Sequence, residues 1–140
     1  MHRRAEFIRL SHDHHRGLVL ARRIRESLLE TESAVDALRS LVLKDWEAVL
    51  IKHFACEEEF LGPPLRRSGR PDLADRLVAE HSALRALADG RSAMKAEDLR
   101  TFSRLLEEHI RFEERELFEE AQALLTEDEL KALADATAQG

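Results

Sequence analysis

The 140 residues suffice for one domain with a buried core. Hydrophobic residues at 44%, charged residues at 36%, five Gly and three Pro describe a helix-rich chain rather than a sheet or a disordered tail. A formal net charge of -6 argues against a nucleic-acid partner, which would need a basic surface; Arg3-Arg4 and Arg22-Arg23 read as solvated helix faces. A single cysteine, Cys56, closes no internal disulfide, and no apolar run reaches the ~20 residues of a membrane span or forms a signal-peptide core after Met1-His2-Arg3-Arg4. The expected setting is the cytoplasm, without membrane association.

The first predicted helix runs from Phe7 to about Leu29. Phe7, Leu10, Gly17, Ala21, Ile24 and Leu28 are separated by steps that are combinations of three and four, which place them on one face. His14 falls on that stripe. A second helix is predicted from about Ser33 to Leu61 through Leu38, Val42, Trp46, Val49, His53 and Phe60, ended by Gly62-Pro63-Pro64. Leu61–Arg70 is expected to be a turn. The third helix opens at Pro71-Asp72, carries Leu77, His81, Leu84 and Ala88 on one face, and closes at Gly90. The fourth runs from about Ala96 to Leu125 through Leu99, Phe102, Leu105, Leu106, His109, Phe112 and Leu117. Thr126-Glu127-Asp128-Glu129 reads as a capping box that opens a short tail helix, with Leu130 and Leu133 inward. The expectation is an all-α, up-down-up-down four-helix bundle with a short C-terminal helix, forming one domain over residues 1–140.

The chemistry lies in an internal echo. His53-Phe54-Ala55-Cys56-Glu57-Glu58 recurs as His109-Ile110-Arg111-Phe112-Glu113-Glu114, both reading His-x-x-x-Glu-Glu. Residues four apart stack on a helix about 5–6 Å apart, so an imidazole and a carboxylate can converge on one ion. Asp13-His14 and Glu80-His81 supply matching acid–histidine pairs from the other two helices. One inward histidine is ordinarily a hydrogen-bonded core residue. Four of them, with Glu57 and Glu113, would strand several polar groups, each costing on the order of 1–3 kcal/mol, in a domain stable by about 5–15 kcal/mol.

A metal centre supplies the compensation, and two divalent ions against two carboxylates leave room for a bridging oxo or hydroxo group. Imidazole with carboxylate suits iron, with zinc or manganese as substitutes. The predicted metal ligands are His14, His53, Glu57, His81, His109 and Glu113. His15 competes with His14, because His15-x-x-Leu18 matches His81-x-x-Leu84, but the apolar stripe favours His14. Glu114 competes with Glu113, which repeats the His53–Glu57 spacing. Cys56 reads as a small apolar residue. Glu58, Glu59, Glu116, Glu119 and Glu120 read as a wet acidic face, with Glu58 or Glu80 available to orient ligands. Trp46, Phe60, Phe102 and Phe112 read as packing residues.

These segments, with His53-Phe54-Ala55-Cys56-Glu57-Glu58-Glu59-Phe60-Leu61-Gly62-Pro63 and His109 to Phe118 the longest of them, resemble the hemerythrin-like, or HHE cation-binding, family from about Phe7 to Leu133. The resemblance implies a non-haem di-iron site with two carboxylate bridges, and a role in binding or sensing oxygen, iron or a related small oxidant. Peroxidase-like or nitric-oxide-handling enzyme activity is the alternative. The chain departs from the oxygen carriers of the family in its third helix, where carriers place two histidines four residues apart and this chain has His81 and Arg85.

Overall fold

The computed structural model describes residues 3–90 and 93–138, so the basic start at Met1-His2 and the last two positions of the expected 1–140 domain lie outside the described residues. All regular structure among the described residues is helical. Helix α1 spans Ile8–Glu30. Helix α2 (Val35–Asp45) passes through a wide turn at Trp46–Leu50, with π-type bonding, into α3 (Ile51–Phe60). Next come α4 (Gly62–Arg67) and α5 (Pro71–Asp89). Helix α6 (Ala96–Phe112) continues through a second wide turn, Glu113–Leu117, into α7 (Phe118–Leu124), and α8 is Glu127–Ala138. No helix is long and apolar enough to cross a membrane.

The stripe of α1 is buried as its spacing requires: Phe7, Leu10, His14, Gly17, Ala21, Ile24 and Leu28 all face inward. The α1 face lies antiparallel to α6, with His14 against Glu113 and Ala21 against Ser103. It is also antiparallel to α2 and α3, with Asp13 against His53 and Arg16 against Asp45. Helices α5 and α6 pair in the same sense, through Glu80–His109 and Arg76–Glu116. At the crossing of α1 and α6 a Cβ on Gly17 would lie 2.8 Å from the Ile110 Cδ1 methyl. That methyl can swing aside for alanine, which also favours the helix, but not for a branched side chain. Gly17→Leu is expected to destabilise by on the order of 1–3 kcal/mol through overpacking, with Gly17→Ala close to neutral. Thermal melts of both variants check this, and a Gly17→Leu protein that melts like the parent would refute the close approach.

The connection expected to be a turn contains a helix instead. The α3 helix does end at Phe60, but Pro63 and Pro64 occupy the first turn of α4, where a missing N–H costs nothing. Leu61 and Leu65 are thereby fully buried. A second correction concerns Val49, which is only partly buried while Leu50 turns inward. The wide turn at Trp46–Leu50 adds backbone to one turn of helix, so the four-residue steps Val42, Trp46, Leu50 and Phe54 hold a common face. Phe60 is only half buried, and Phe54 takes its place in the core.

The predicted ends of α5 hold, with Pro71 in the first turn and Gly90 as the C-cap. At the start of α8 the Thr126 hydroxyl accepts from the Glu129 N–H, and the Glu129 carboxylate accepts from the Thr126 N–H, forming the predicted capping box. Leu130 and Leu133 are buried as expected.

The core has two apolar layers. One contains Leu20, Ile24, Trp46, Phe54, Leu84, Phe102 and Leu106; the other contains Phe7, Leu10, Leu61, Leu77, Phe112, Phe118 and Leu133. Along α1, α5 and α6 a histidine lies near the change of layer. His14 lies between Leu10 and Leu20, His81 between Leu77 and Leu84, and His109 between Leu106 and Phe112. The histidines therefore occupy a polar stratum enclosed by hydrocarbon above and below.

Candidate metal centre

The histidines reach this stratum because each replaces one apolar residue in a helical stripe. His14, His53, His81 and His109 are all buried, and Glu57 and Glu113 are completely so. Their potential ligand atoms fall into two groups, His14–His53–Glu57–Glu113 and Glu57–His81–His109–Glu113, with the atoms of each group within 4.8 Å of one another. Both groups contain the same two carboxylates. All six residues named from the sequence are thus brought together, while His12 and His15 are exposed to solvent.

Within the stratum, His14 Nε2 lies 3.1 Å from His53 Nε2, and His81 Nε2 lies 3.1 Å from His109 Nε2. Glu113 Oε1 is 2.8 Å from His109 Nε2 and 3.0 Å from His14 Nε2. Glu57 reaches His53 Nε2 at 3.0 Å through Oε2 and His81 Nε2 at 3.1 Å through Oε1. Each carboxylate therefore touches the histidine four residues before it and a histidine from another helix.

The outward-facing nitrogens form a ring of their own. His53 Nδ1 meets Asp13 at 3.1 Å, and His109 Nδ1 meets Glu80 at 2.7 Å. His81 Nδ1 meets Glu58 at 2.7 Å, and His14 Nδ1 meets Glu114 at 2.6 Å. A carboxylate at Nδ1 fixes the proton on that nitrogen and aims the Nε2 lone pair inward, the arrangement that prepares imidazole for a metal. Three of these carboxylates are backed by arginine: Glu58 by Arg85 at 2.7 Å, Glu80 by Arg76 at 2.8 Å and Glu114 by Arg3 at 3.3 Å. Arg85, at the position where a second imidazole is absent, thus supports the outer partner of His81 and reaches away from the ligand atoms.

Sequence spacing suggested Glu58 and Glu80 for the outer role but did not assign Asp13 or Glu114. The available signal was the acid beside each ligand: Asp13 before His14, Glu80 before His81, and the second glutamate of each Glu-Glu pair. Glu59 and Glu116 are exposed as expected, whereas Glu119 and Glu120 are half buried and pair with Arg3 and Arg70.

Two stacked rings hold the stratum in place. Phe54 lies parallel to His81 at 4.0 Å between centroids, and Phe118 lies parallel to His14 at 5.2 Å. Neither phenylalanine was among the aromatic residues singled out in the sequence. Cys56 is half buried against the lower apolar layer. Burial, with the nearby Glu57 charge, pushes its thiol up to about 11, so it stays protonated and behaves as the expected small apolar residue.

Electrostatics show what the protein atoms alone leave unresolved. Burial disfavours charge on His14, but hydrogen bonds with Glu113 and Glu114 outweigh it and raise the pKa to about 10. His109 is raised to about 9, with Glu113 overcoming its burial. His53 is raised well above its ordinary value by Glu57 and Asp13, again against burial. Glu57 and Glu113 are lowered despite complete burial, by the histidines around them. Two Nε2 atoms 3.1 Å apart share at most one hydrogen, so in each histidine pair one inward nitrogen is unprotonated and its lone pair accepts from the other ring.

The Oε2 atoms of Glu57 and Glu113 are buried without a hydrogen-bond partner; Glu57 Oε2 sits near His53 without the alignment such a bond needs. A cation satisfies both oxygens. Ligands about 2.1 Å from one ion lie roughly 3.0–3.4 Å from each other, which matches the observed nitrogen and oxygen separations. The donor set fits a metal.

A helical chain with two buried His/Glu clusters that share their carboxylates is a candidate metal-binding protein. The Hemerythrin HHE cation binding domain matches residues 3–121, and the chain belongs to that family. No curated protein and no solved structure gave a significant match.

Proposed function

We propose that this chain is a hemerythrin-like non-haem di-iron protein that binds or senses oxygen, iron or a related small oxidant. The observation that carries the reading is the membership of Glu57 and Glu113 in both clusters, as expected of carboxylates that bridge two ions. His14 and His53 would hold one ion, His81 and His109 the other, and iron suits the mixed imidazole and carboxylate donors. Zinc and manganese are the substitutes. A bound iron pair would supply redox chemistry and Lewis acidity toward a small ligand. The residues of the chain do the rest: Asp13, Glu58, Glu80 and Glu114 hold the imidazoles in one tautomer, and the apolar layers limit water.

The antiparallel pairings of α1, α2–α3, α5 and α6–α7 support an up-down-up-down four-helix bundle, with α8 as the short C-terminal helix. The reading includes a single domain over 1–140, a cytoplasmic setting and a small diatomic or peroxide ligand rather than nucleic acid. After ferrous reconstitution and removal of excess metal, elemental analysis is expected to give close to two ions per chain. A plateau at one ion, or none, would remove the dinuclear reading.

A further inference from the structure

The four outer acids are not held alike. Glu58 and Glu80, behind His81 and His109, are each tied to an arginine, Arg85 at 2.7 Å and Arg76 at 2.8 Å. Arg76 is itself held, 3.9 Å above the centre of the Phe112 ring and 3.1 Å from Glu116. Phe54 stacks on His81 at 4.0 Å. Both imidazoles of the His81–His109 pair are thus braced from behind. In the other pair only one is: Glu114, behind His14, accepts from Arg3 at 3.3 Å and from the Ser11 hydroxyl at 2.9 Å. Asp13, behind His53, has no arginine or lysine partner among the described residues. Its 3.1 Å contact with His53 is the longest of the four outer contacts.

His53 also has open space beside it. With Asp13, whose side chain is 23% exposed, it lines a cleft of about 530 Å³ between α1, α3 and α8. Apolar layers close the polar stratum above and below, and this cleft meets it from the side. Charge on the cleft balances, Asp13 and Glu59 against Arg9 and Lys52, with Arg16 paired to Asp45 at 3.5 Å. No net charge therefore opposes the passage of a cation. The walls mix these polar groups with Leu10, Val49 and Phe60, a surface that water can wet.

We infer that the two metal positions differ in exchange: the His14–His53 position takes up and releases its ion through the α1–α3–α8 cleft, with His53 as the side chain that turns outward, while the His81–His109 position retains its ion. The inference rests on the two-ion reading above. Glu57 and Glu113 belong to both clusters, so they do not distinguish the positions; the outer acids do. A histidine withdraws only when its outer hydrogen bond breaks, and such partners are worth roughly 10–100-fold in metal binding. His81 and His109 must each break from an acid that an arginine holds in place. His53 must break only from Asp13, and the cleft beside it receives the ring.

Release of zinc from the full chain loaded with two ions, followed optically with an excess of a chromogenic chelator, tests it. Two phases of one ion each are expected, the first faster by roughly tenfold or more. Asp13→Asn keeps the shape of the side chain but weakens its hold on His53, and should accelerate the fast phase alone. Arg85→Gln frees the acid behind His81 and should accelerate the slow phase alone, each change being about tenfold. Ala55→Trp, at an exposed position lining the cleft, should slow the fast phase several-fold while leaving the slow phase and the melting temperature as in the parent. Two ions leaving at one common rate, a fast phase insensitive to Ala55→Trp, or Arg85→Gln acting on the fast phase would each overturn the assignment and leave the two-ion reading in place. A chain that loads fewer than two zinc ions would overturn that reading and the assignment with it.

Discussion

Glu113→Ala is expected to empty both metal positions, whereas His109→Ala empties one. Glu113 belongs to both clusters, while His109 belongs only to the cluster with His81. Loss of an outer partner of a ligand typically weakens metal binding by roughly 10–100-fold. Removing a carboxylate shared by two positions is expected to exceed that, a loss of at least about a hundredfold at each. Losing His109 leaves His14, His53, Glu57 and Glu113 intact, enough for one ion. Dialysis of each variant against a fixed low concentration of zinc, followed by elemental analysis, separates them. Retention of one ion by Glu113→Ala would show that Glu113 serves a single position and that the centre is two independent sites.

The metal-free protein should become less stable as pH rises from about 6.5 to 9, the opposite of the metal-loaded protein. In the folded, metal-free chain the pKa of His14 is raised to about 10 and that of His109 to about 9. Each exceeds the unfolded value near 6.5. A raised folded pKa contributes stability in full below the unfolded value and loses it as pH climbs through the folded one. With one hydrogen shared in each histidine pair, each such proton lost costs about 1.4 kcal/mol per pH unit across that window.

Glu57 and Glu113 are lowered, so their contribution is present above about 4.5 and fades as pH falls through their folded values. The metal-free optimum therefore lies between about 4.5 and 6.5. Metal displaces the same protons, so its stabilising effect should grow with pH. Melting curves with and without chelator at several pH values from 6 upward measure both trends; a metal-free melting temperature constant over that range would mean the imidazoles are neutral in the folded state.

The clustering of the six candidate residues was readable because a helix converts sequence spacing into a face. His53 and Glu57, and His109 and Glu113, are four residues apart, and His14 and His81 stand within apolar stripes. The choice between Glu113 and Glu114 resolves into two roles, with Glu113 facing inward and Glu114 holding His14 from outside. The crossing of the outer partners was not readable. Asp13 precedes His14 but supports His53, and Glu80 precedes His81 but supports His109. Such pairings depend on which helix lies alongside, and that is decided by packing rather than by local spacing. The wide turns at Trp46–Leu50 and Glu113–Leu117 escaped for a related reason. They adjust helix phase to a face the core imposes, and nothing in residue type announces the extra backbone. The helix Gly62–Arg67 was hidden by two prolines that usually signal an end and here form a beginning.

The sharing of ligands between helix pairs has a kinetic meaning. His14, His53 and Glu57 come from the first pair of long helices, but the fourth member of their cluster, Glu113, comes from the second; His81, His109 and Glu113 likewise depend on Glu57 from the first. Neither pair carries a full set for either ion. With hydrocarbon layers closing the stratum from both ends, an ion held by all four residues of a cluster would leave only as ligands of one pair draw back from those of the other. Residence time at the centre would then be governed by how often those ligands draw apart, and metal retention would report the relative motion of the two helix pairs.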